Sequence, residues 1–323
     1  MASIGYTLSS EEFGPRELVG FARRAEAVGF DFLSISDHFH PWVDRQGNSP
    51  FVWAVLGGVA EATERIEVGT GVTCPTTRIH PAIVAQAAAT AAAMLPGRFF
   101  LGVGSGENLN EHILAEHWPE TKIRQERLEE AVEVIRLLWQ GGLKSHRGRH
   151  YTVENARIYT LPDELPPIIL AAAGPRATDL AGRIGDGFFG LVPDPEVIEQ
   201  FERSGGKGKP RFGQVHVCWA EDEREAKSTA LEWWPNAVAG GNLNWELPLP
   251  SLFEDATEWA GEDDVAKSVV CGRDPQLHVE AVLEFVDAGY DHVYLHQVGP
   301  DQEGFLRFAE AELLPRLEEV RSR

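Results

Sequence analysis

Residues 66–103, IEVGTGVTCPTTRIHPAIVAQAAATAAAMLPGRFFLGV, decide the fold. The first part, Ile66–Val72, and the last part, Phe99–Val103, are short runs rich in β-branched or aromatic residues, which is typical of buried strands. Between them, Pro81–Met94 is almost entirely apolar and opens with proline, a residue that suits the first turn of a helix. The stretch therefore predicts a strand–helix–strand unit with two parallel strands.

The same alternation runs through the whole chain and predicts a closed barrel. We predict eight strands, at 4–8, 32–36, 66–72, 99–103, 166–174, 187–192, 212–220 and 292–298, and helices at 15–30, 51–63, 81–94, 124–139, 176–185, 275–288 and 302–320, with another through Trp233 and Trp234. Eight such units form a (β/α)8 TIM barrel, an α/β fold. Two insertions interrupt the rhythm, a hairpin pattern at about 145–165 and an irregular segment at about 235–262. No linker divides residues 1–323, so we expect a single domain.

Composition excludes several classes of protein. The net charge of −21 argues against a nucleic-acid partner, because phosphates require a basic surface. The chain has no uncharged apolar run of 18 residues and no signal-peptide pattern, so we expect neither a membrane span nor secretion. Cys74, Cys218 and Cys271 are too scattered for a disulfide framework or a CxxC metal site. We therefore expect free thiols in a cytoplasmic protein.

The chemistry should lie at the carboxyl ends of the barrel strands, where the catalytic loops of such barrels meet. The stretch SISDHFHPW follows the second predicted strand and brings Asp37, His38 and Trp42 to that end. A histidine is a natural general base near neutral pH, and a tryptophan can form the wall of a pocket. Glu11 and Glu107 follow the first and fourth strands, where apolar surroundings would raise a carboxyl pKa and make it an acid.

Two glycine-rich loops reach the same end of the barrel. GVGSGENLN at 102–110 allows close approach of the backbone to a ligand, but it does not match a dinucleotide-binding fingerprint. AAAGPRATDLAG at 171–182 begins a helix after the fifth strand, and its free amide groups suit a phosphate. Arg176 and Thr178 are candidate side chains for the same anion, although a plain strand-to-helix turn explains the loop as well.

Five segments together resemble the luciferase-like barrel superfamily, in the branch that uses the deazaflavin coenzyme F420. They are SDHFHPW (36–42), GTGVTCPT (69–76), HPAIVAQAAAT (80–90), FFLGVGSGENLNE (99–111) and AAAGPRATDLAGRIGDGF (171–188). The chain is most similar to F420-dependent glucose-6-phosphate dehydrogenases and F420-dependent alcohol dehydrogenases, over almost its whole length. The order and spacing of these segments are specific, whereas any one of them alone is weak evidence.

This resemblance implies hydride transfer between a substrate C–OH group and C5 of the deazaflavin. His38 would be the base that takes the hydroxyl proton, Trp42 and Glu107 would stabilise the substrate and its developing charge, and Glu11 matches a proposed proton donor. Gly71-Val72 matches a bulge that carries a cis peptide bond and supports the ring. The residues implied to contact the cofactor are Asp37, Gly71, Val72, Thr73, Asn108, Asn110, Ala172, Ala173, Gly174 and Pro175. The implied partner is a small alcohol, sugar or carbonyl compound, and the implied assembly is a homodimer.

The chain departs from the sugar-phosphate enzymes at one place. Those enzymes bind the substrate phosphate through a threonine and a lysine shortly after GDGF, and this chain has Leu191 and Asp194 at those positions. Leucine donates no hydrogen bond, and an aspartate repels a phosphate dianion. Lys267 alone would bind an anion weakly, because it supplies only one positive charge. A neutral alcohol, an unphosphorylated sugar or a carbonyl compound is therefore the expected substrate.

Other readings of the same residues stay open. An FMN-dependent monooxygenase or reductase of the same superfamily would share the barrel without needing His38 as a base. A metal-dependent hydrolase could use His38 and His40, which lie two residues apart, although no further ligand is evident and we expect no metal site. A barrel without a cofactor could serve as a binding protein. We expect His40 to lie at the rim of the site rather than in the chemistry.

Overall fold

The computed structural model describes residues 2–321, and its parallel strands close into a (β/α)8 TIM barrel as predicted. Its strands are β1 (Ser3–Leu8), β2 (Phe32–Ile35), β3 (Glu67–Thr70), β4 (Phe99–Val103), β5 (Lys144–Arg147), β6 (Thr152–Ala156), β7 (Ile168–Ala171), β8 (Gly187–Gly190), β9 (Arg211–Cys218), β10 (Val270–Cys271) and β11 (His292–Gln297). Around the ring the order is β1, β2, β3, β4, β7, β8, β9 and β11, and β11 pairs in turn with β1. Each predicted barrel strand is present, with its ends shifted by a few residues.

Helices surround this ring and alternate with its strands. They are α1 (Pro15–Val28), α2 (Val52–Ala62), α3 (Pro81–Met94), α4 (Asn108–Glu111), α5 (Thr121–Trp139), α6 (Pro175–Ile184), α7 (Pro195–Phe201), α8 (Glu223–Trp233), α9 (Leu243–Glu246), α10 (Pro250–Thr257), α11 (Glu262–Val265), α12 (Pro275–Asp287), α13 (Gln302–Phe308) and α14 (Leu314–Arg321). Helix α7 was not predicted from the sequence, although Asp194 caps it by accepting a hydrogen bond from the Glu196 amide at 2.9 Å. Nor was β10 predicted, which is only two residues long and pairs with β9.

The two insertions differ in structure. In the first, β5 and β6 form an antiparallel hairpin, as the alternating pattern predicts. The second was expected to be irregular, and this expectation is wrong. It folds into the 3-10 turn Pro235–Val238 followed by α9 and α10. Helix α10 contributes the buried Phe253, which packs under the loop after β2. The second insertion therefore lies over the same end of the barrel as SISDHFHPW.

Aromatic rings fill the interior of the barrel below these loops. The ring of Phe212 lies 5.4 Å from that of Phe32 and 4.8 Å from that of Phe189, measured between centroids. The members of this interior cluster are Phe32, Phe100, Ile169, Phe189, Phe212 and Tyr294. The packed interior closes the barrel from below, so that only the carboxyl ends of the strands remain open to ligands.

Helix α3 serves mainly as core. Its buried residues are Pro81, Val84, Ala85, Ala88, Ala89, Ala91 and Ala92. The helix begins where the His80 side chain accepts a hydrogen bond from the Ala82 amide at 3.1 Å. Only Ile83 and Met94 among its large apolar side chains are exposed, so burial within this chain explains its composition. Within residues 2–321, no helix has the length and apolar character needed to cross a membrane.

Gly102 in β4 tests how tightly the strands are packed. A Cβ atom at this position would overlap the backbone carbonyl oxygen of Thr70 in β3, and this oxygen cannot move without disturbing the sheet. We expect Gly102→Ala to lower the free energy of unfolding by at least about 1–3 kcal/mol, the usual cost of overpacking. Gly20→Ala is the matched control, because Gly20 lies within α1 with no atom within 4 Å of its Cβ position. That control should gain about 0.5–1 kcal/mol in urea denaturation, and an equally stable Gly102→Ala would contradict the packing.

Candidate active site

The loops after β1, β2 and β4 bring together the four side chains predicted to be catalytic. The Nε2 atom of His38 lies 3.3 Å from Oε1 of Glu11 and 3.5 Å from Oε2 of Glu107. The rings of His38 and Trp42 lie 5.2 Å apart, inclined by 58°. The four side chains thus form one cluster at the carboxyl end of the barrel.

A hydrogen bond on the other ring nitrogen of His38 decides where its lone pair lies. Nδ1 of His38 is 3.1 Å from the carbonyl oxygen of His40. Because a carbonyl oxygen only accepts, Nδ1 carries a proton, and Nε2 is the ring nitrogen that faces the two carboxyl groups. The His38 side chain is 11% exposed, so the ring is not completely sealed from the mouth of the barrel. His38 therefore has the geometry of a base.

The two carboxyl groups beside His38 have pKa values shifted in opposite directions. Burial favours the neutral form of Glu11, but the neighbouring His38 and the Ser36 hydroxyl at 2.7 Å hold its pKa below the ordinary value. Burial raises the pKa of Glu107 to about 7, and the charge of Glu11 adds to this shift against the influence of His38. Glu11 is therefore ionised at neutral pH, whereas Glu107 keeps its proton up to about pH 7, a pattern that assigns different roles to two acids.

Trp42 forms one wall of this cluster. Its ring meets that of Phe253 edge-on at 5.3 Å, and its amide donates to Oε1 of Gln46 at 2.8 Å. Trp42 also packs against the apolar cluster that contains Trp234. The second insertion thus holds the indole beside His38, as the sequence anticipates for a pocket wall.

Asp37 takes part in a buried ion network rather than facing open space. Its Oδ1 accepts a hydrogen bond from Arg78 at 2.9 Å, and its Oδ2 accepts one from the Thr73 hydroxyl at 2.8 Å. The Arg78 amide donates to Oε2 of Glu111 at 2.6 Å, and its guanidinium lies 3.5 Å from the same carboxyl group. Both oxygens of Asp37 are therefore used within the chain. The sequence reading missed Arg78, the one arginine in the loop after β3.

Asn110 links the loop after β2 to Glu107. Its Oδ1 accepts hydrogen bonds from the amides of Phe39 at 2.8 Å and His40 at 3.2 Å. Its Nδ2 donates to Oε2 of Glu107 at 3.2 Å. The His40 ring stacks on His112 at 5.5 Å, away from the His38 cluster. Asn110 is thus a buried link between two loops, and the His40 side chain packs outside the cluster.

The opposite part of the mouth is apolar and built from small residues. The Gly71-Val72 peptide bond is cis, as the resemblance implies. A Cβ atom on Gly104 would lie 2.8 Å from Val72 and 3.7 Å from Ala171, so the backbones of three strand ends come close together here. Asn108 begins α4, four residues after Gly104; its Nδ2 donates to the Glu246 carbonyl at 2.9 Å, and its Oδ1 is buried without a hydrogen-bond partner among the described residues. An apolar shelf with one unpaired acceptor fits a flat heteroaromatic ring that carries an N–H group.

The loop after β7 continues this shelf. Ala172 is buried, Ala173 and Pro175 are exposed, and α6 begins at Pro175. No atom lies within 4 Å of the Cβ position of Gly174, so there is open space in front of the first turn. Thr178 turns its hydroxyl back to the Gly174 carbonyl at 3.1 Å, and Arg176 is exposed. The described residues therefore leave room for the tail of a cofactor along this loop.

The residues that replace the implied phosphate site do not form an anion site. Leu191 is 51% exposed, and Asp194 is engaged as the cap of α7. Nζ of Lys267 lies 2.8 Å from Asp264, and its side chain is 73% exposed.

A second polar cluster lies beside the first, and the sequence reading missed it. His296 in β11 lies opposite His216 in β9, with 5.1 Å between ring centroids, and the Trp234 ring is 4.5 Å from His296. Burial lowers the pKa of His296 to about 4 and that of His216 to about 3, so both rings are neutral. The side-chain amide of Gln214 lies next to His296, with 3.1 Å between Nε2 of Gln214 and Nδ1 of His296. Polar residues two apart in an otherwise apolar strand, GQVHVC, were the available signal.

Glu12 connects the two clusters. Its Oε1 accepts a hydrogen bond from the Gly299 amide at 2.7 Å, and its Oε2 lies 3.7 Å from Nε2 of His296. Burial raises the pKa of Glu12 to about 8 against the effect of that amide bond and of the Ser9 hydroxyl. Glu12 is therefore a neutral acid at pH 7. It lies directly behind the ionised Glu11.

The described residues do not offer a metal centre. Among residues 2–321, no group of three or more His, Cys, Asp or Glu side chains is arranged to hold a metal ion. His38 and His40 each direct Nδ1 at a backbone carbonyl, and the two side chains face different neighbours.

The chain is similar to known proteins over almost its whole length. The model of the luciferase-like monooxygenase family matches residues 1–292. An F420-dependent glucose-6-phosphate dehydrogenase of Microbacterium testaceum is 39% identical over 327 residues, covering 97% of each chain. The protein of that name from Rhodococcus erythropolis is 38% identical over 97% of each chain. A solved F420-dependent secondary alcohol dehydrogenase, in complex with an F420–acetone adduct, has a TM-score of 0.90 and 30% identity, covering 97% of this chain and 98% of that one.

The raised pKa of Glu12 makes stability depend on pH in a defined direction. Above its ordinary pKa near 4.5 the unfolded chain releases the proton, whereas the folded chain keeps it until about pH 8. Stability is therefore lost as pH rises through this window, by up to about 1.4 kcal/mol per unit. Glu12→Gln, which keeps an acceptor for the Gly299 amide, should be more stable than the wild type by a margin that grows from pH 5 to pH 8.

Glu26→Gln is the matched control for this measurement, made by urea denaturation across the pH range. Backbone amides of Ile66, Arg65 and Glu64 hold the pKa of Glu26 below its ordinary value against burial. Its contribution is present above the ordinary carboxyl pKa, so this variant should be less stable at neutral pH, with no growth above pH 5. A Glu12→Gln margin that is independent of pH would show that Glu12 is ionised in the folded protein.

Proposed function

The chain belongs to the luciferase-like monooxygenase family, and from this we propose that it is a coenzyme F420-dependent oxidoreductase that acts on a CH–OH group with His38 as the base. The relatives that it matches over nearly their full length carry F420-dependent dehydrogenase names. The observation that carries the role of His38 is the Nδ1 hydrogen bond to the His40 carbonyl, which leaves Nε2, between Glu11 and Glu107, as the nitrogen that exchanges a proton.

The apolar side of the mouth would hold the cofactor. Val72 and Gly71 would support the ring, and Asn108 would accept a hydrogen bond from it through its unpaired Oδ1. The loop from Ala172 through Ala173 and Gly174 to Pro175 would follow the tail, because the space in front of Gly174 is open. When bound, F420 supplies the site that accepts or donates a hydride, and the protein supplies orientation and proton transfer.

Asp37, Thr73 and Asn110 support the cofactor site indirectly in this proposal. The hydroxyl of Thr73 and the guanidinium of Arg78 donate hydrogen bonds to the two oxygens of Asp37. The side-chain oxygen of Asn110 accepts a hydrogen bond from the loop after β2. Their role is to fix the loops that carry His38 and Gly71-Val72. This differs from the direct ring contact that the resemblance implies for them.

Proton transfer follows from the charges around His38. Nε2 takes the hydroxyl proton of the substrate, and the ionised Glu11 at 3.3 Å stabilises the resulting imidazolium. Glu107, which keeps its proton up to about pH 7, donates a hydrogen bond in its protonated form to the substrate oxygen and keeps it beside Nε2. Trp42 covers the pair and excludes water. In the direction of carbonyl reduction the same groups return the proton.

The substrate is a neutral alcohol, an unphosphorylated sugar or the corresponding carbonyl compound. Leu191 offers no hydrogen bond, and Asp194 adds negative charge where the sugar-phosphate enzymes bind a phosphate. The homodimer that the resemblance implies is part of the same proposal. The FMN-dependent alternative would use the same barrel but give His38 no proton to take.

His38→Ala tests the base. We expect kcat for F420-dependent oxidation of a neutral alcohol to fall about 10²–10⁴-fold, the usual contribution of a general base, while the Kd for F420 changes little. His40→Ala is the matched control in the same loop, because its side chain stacks on His112 outside the cluster. Stopped-flow and steady-state absorbance of F420 would report both quantities. Equal losses in the two variants would mean that the loop, and not the base, had been damaged.

A further inference from the structure

One side of the mouth is enclosed by a continuous row of rings and carboxyl groups. His38 contacts Trp42, Trp42 packs on the cluster of Trp234, and Trp234 contacts His216 and His296. Nε2 of His296 in turn lies 3.7 Å from Oε2 of Glu12, the chain neighbour of Glu11, and Glu11 lies beside His38. The row therefore returns to its starting point and surrounds the space next to the proposed base.

The proposed reaction gives His216, one of the residues in this row, no role. Its side chain points into the barrel, since it lies on the same face of β9 as Phe212 of the interior cluster. Its ring contacts His296 at 5.1 Å and Trp234 at 5.7 Å, yet among the described residues neither of its nitrogens has a hydrogen-bond partner. The residue is only partly buried, so its free edge opens to the mouth.

Electrostatics restrict what this edge can bind. Burial lowers the pKa of His216 to about 3, so the ring offers one neutral donor and one neutral acceptor at working pH. The ionised Glu11 lies on the same side of the mouth, and the row from His38 to His216 contains no lysine or arginine. An anionic group here would meet repulsion without compensation. A hydroxyl or carbonyl oxygen would satisfy the imidazole without any cost in charge.

We propose that His216 determines specificity by hydrogen bonding to a second oxygen of a neutral substrate, so that the preferred substrates are polyols or unphosphorylated sugars rather than simple monoalcohols. This inference rests on the proposed function, with His38 acting on the first hydroxyl group. His216 donates or accepts a hydrogen bond at the second oxygen from the opposite side of the same enclosure. Trp42 and Trp234 pack against the carbon skeleton between the two oxygens.

The expected discrimination follows from an unpaired polar group. A site built to hydrogen-bond a hydroxyl group disfavours an analogue that lacks it, because the buried partner is then left unsatisfied. One neutral hydrogen bond in a partly exposed position corresponds to about tenfold in kcat/KM. The effect should appear mainly in KM, because His216 does not touch the reacting C–OH group.

The test compares cyclohexanol with 1,2-cyclohexanediol, and 2-propanol with glycerol, in F420-dependent oxidation by the full-length protein. The wild type should favour the member with the additional hydroxyl group by about tenfold or more in kcat/KM. His216→Phe keeps a ring against Trp234 and His296 but removes both nitrogens, so it should abolish that preference and leave the monoalcohols within about threefold. His216→Gln keeps a donor and an acceptor and should recover part of the preference.

The same substitution at an exposed histidine, His117→Phe, is the control and should behave as the wild type. Loss of activity toward both members of a pair in His216→Phe, without recovery in His216→Gln, would show a structural role and overturn the proposal. A wild type that oxidises monoalcohols without preferring diols would also overturn it, and would leave the proposed function standing. A wild type that binds F420 but oxidises neither class would overturn the proposed function and this inference with it.

Discussion

The buried ion network around Arg78 is the constraint on which the site depends. The side chains of Arg78, Asp37 and Glu111 are 7%, 0% and 0% exposed, and they join the loops that follow β3, β2 and β4. Removing one partner from such a network leaves an uncompensated buried charge, which costs about 3–5 kcal/mol. The three loops therefore have little freedom to move apart. This rigidity fixes His38 next to Asp37, Glu107 near Glu111, and the Gly71-Val72 bulge before Thr73.

With the loops held by this ion network, burial determines the charges around His38. Three carboxyl groups lie close together in a buried site, those of Glu11, Glu12 and Glu107. They cannot all be ionised at the same time, because burial and mutual repulsion disfavour the charged forms. Glu11 keeps its charge because hydroxyl groups and His38 surround it, while Glu12 and Glu107 hold their protons to higher pH. A single negative charge beside Nε2 is the arrangement that stabilises an imidazolium formed during proton transfer. The neutral acids leave the rest of the mouth suited to an uncharged substrate.

Local patterns in the sequence predict the barrel and half of the site. The strands are recognisable because apolar runs such as Phe99–Val103 are bounded by turns, and the cluster of Glu11, His38 and Glu107 follows from the rule that strand ends meet at one edge. Arg78 was not predicted, because its pairing with Asp37 spans 41 residues and has no local signature. His216 was not predicted for a different reason: it lies inside β9 and not in a loop at a strand end, and only polar residues at a spacing of two mark its position.

The most direct test of the central claim is a binding titration of the purified protein with oxidised F420 and, separately, with FMN. Trp42 and Trp234 lie in the mouth, so intrinsic tryptophan fluorescence should report occupancy. We expect saturable quenching by F420 at concentrations at least about tenfold below those needed for FMN, a difference of 1.4 kcal/mol in binding free energy. Tighter binding of FMN, or no binding of either, would contradict an F420-dependent dehydrogenase and favour a monooxygenase or a barrel without a cofactor.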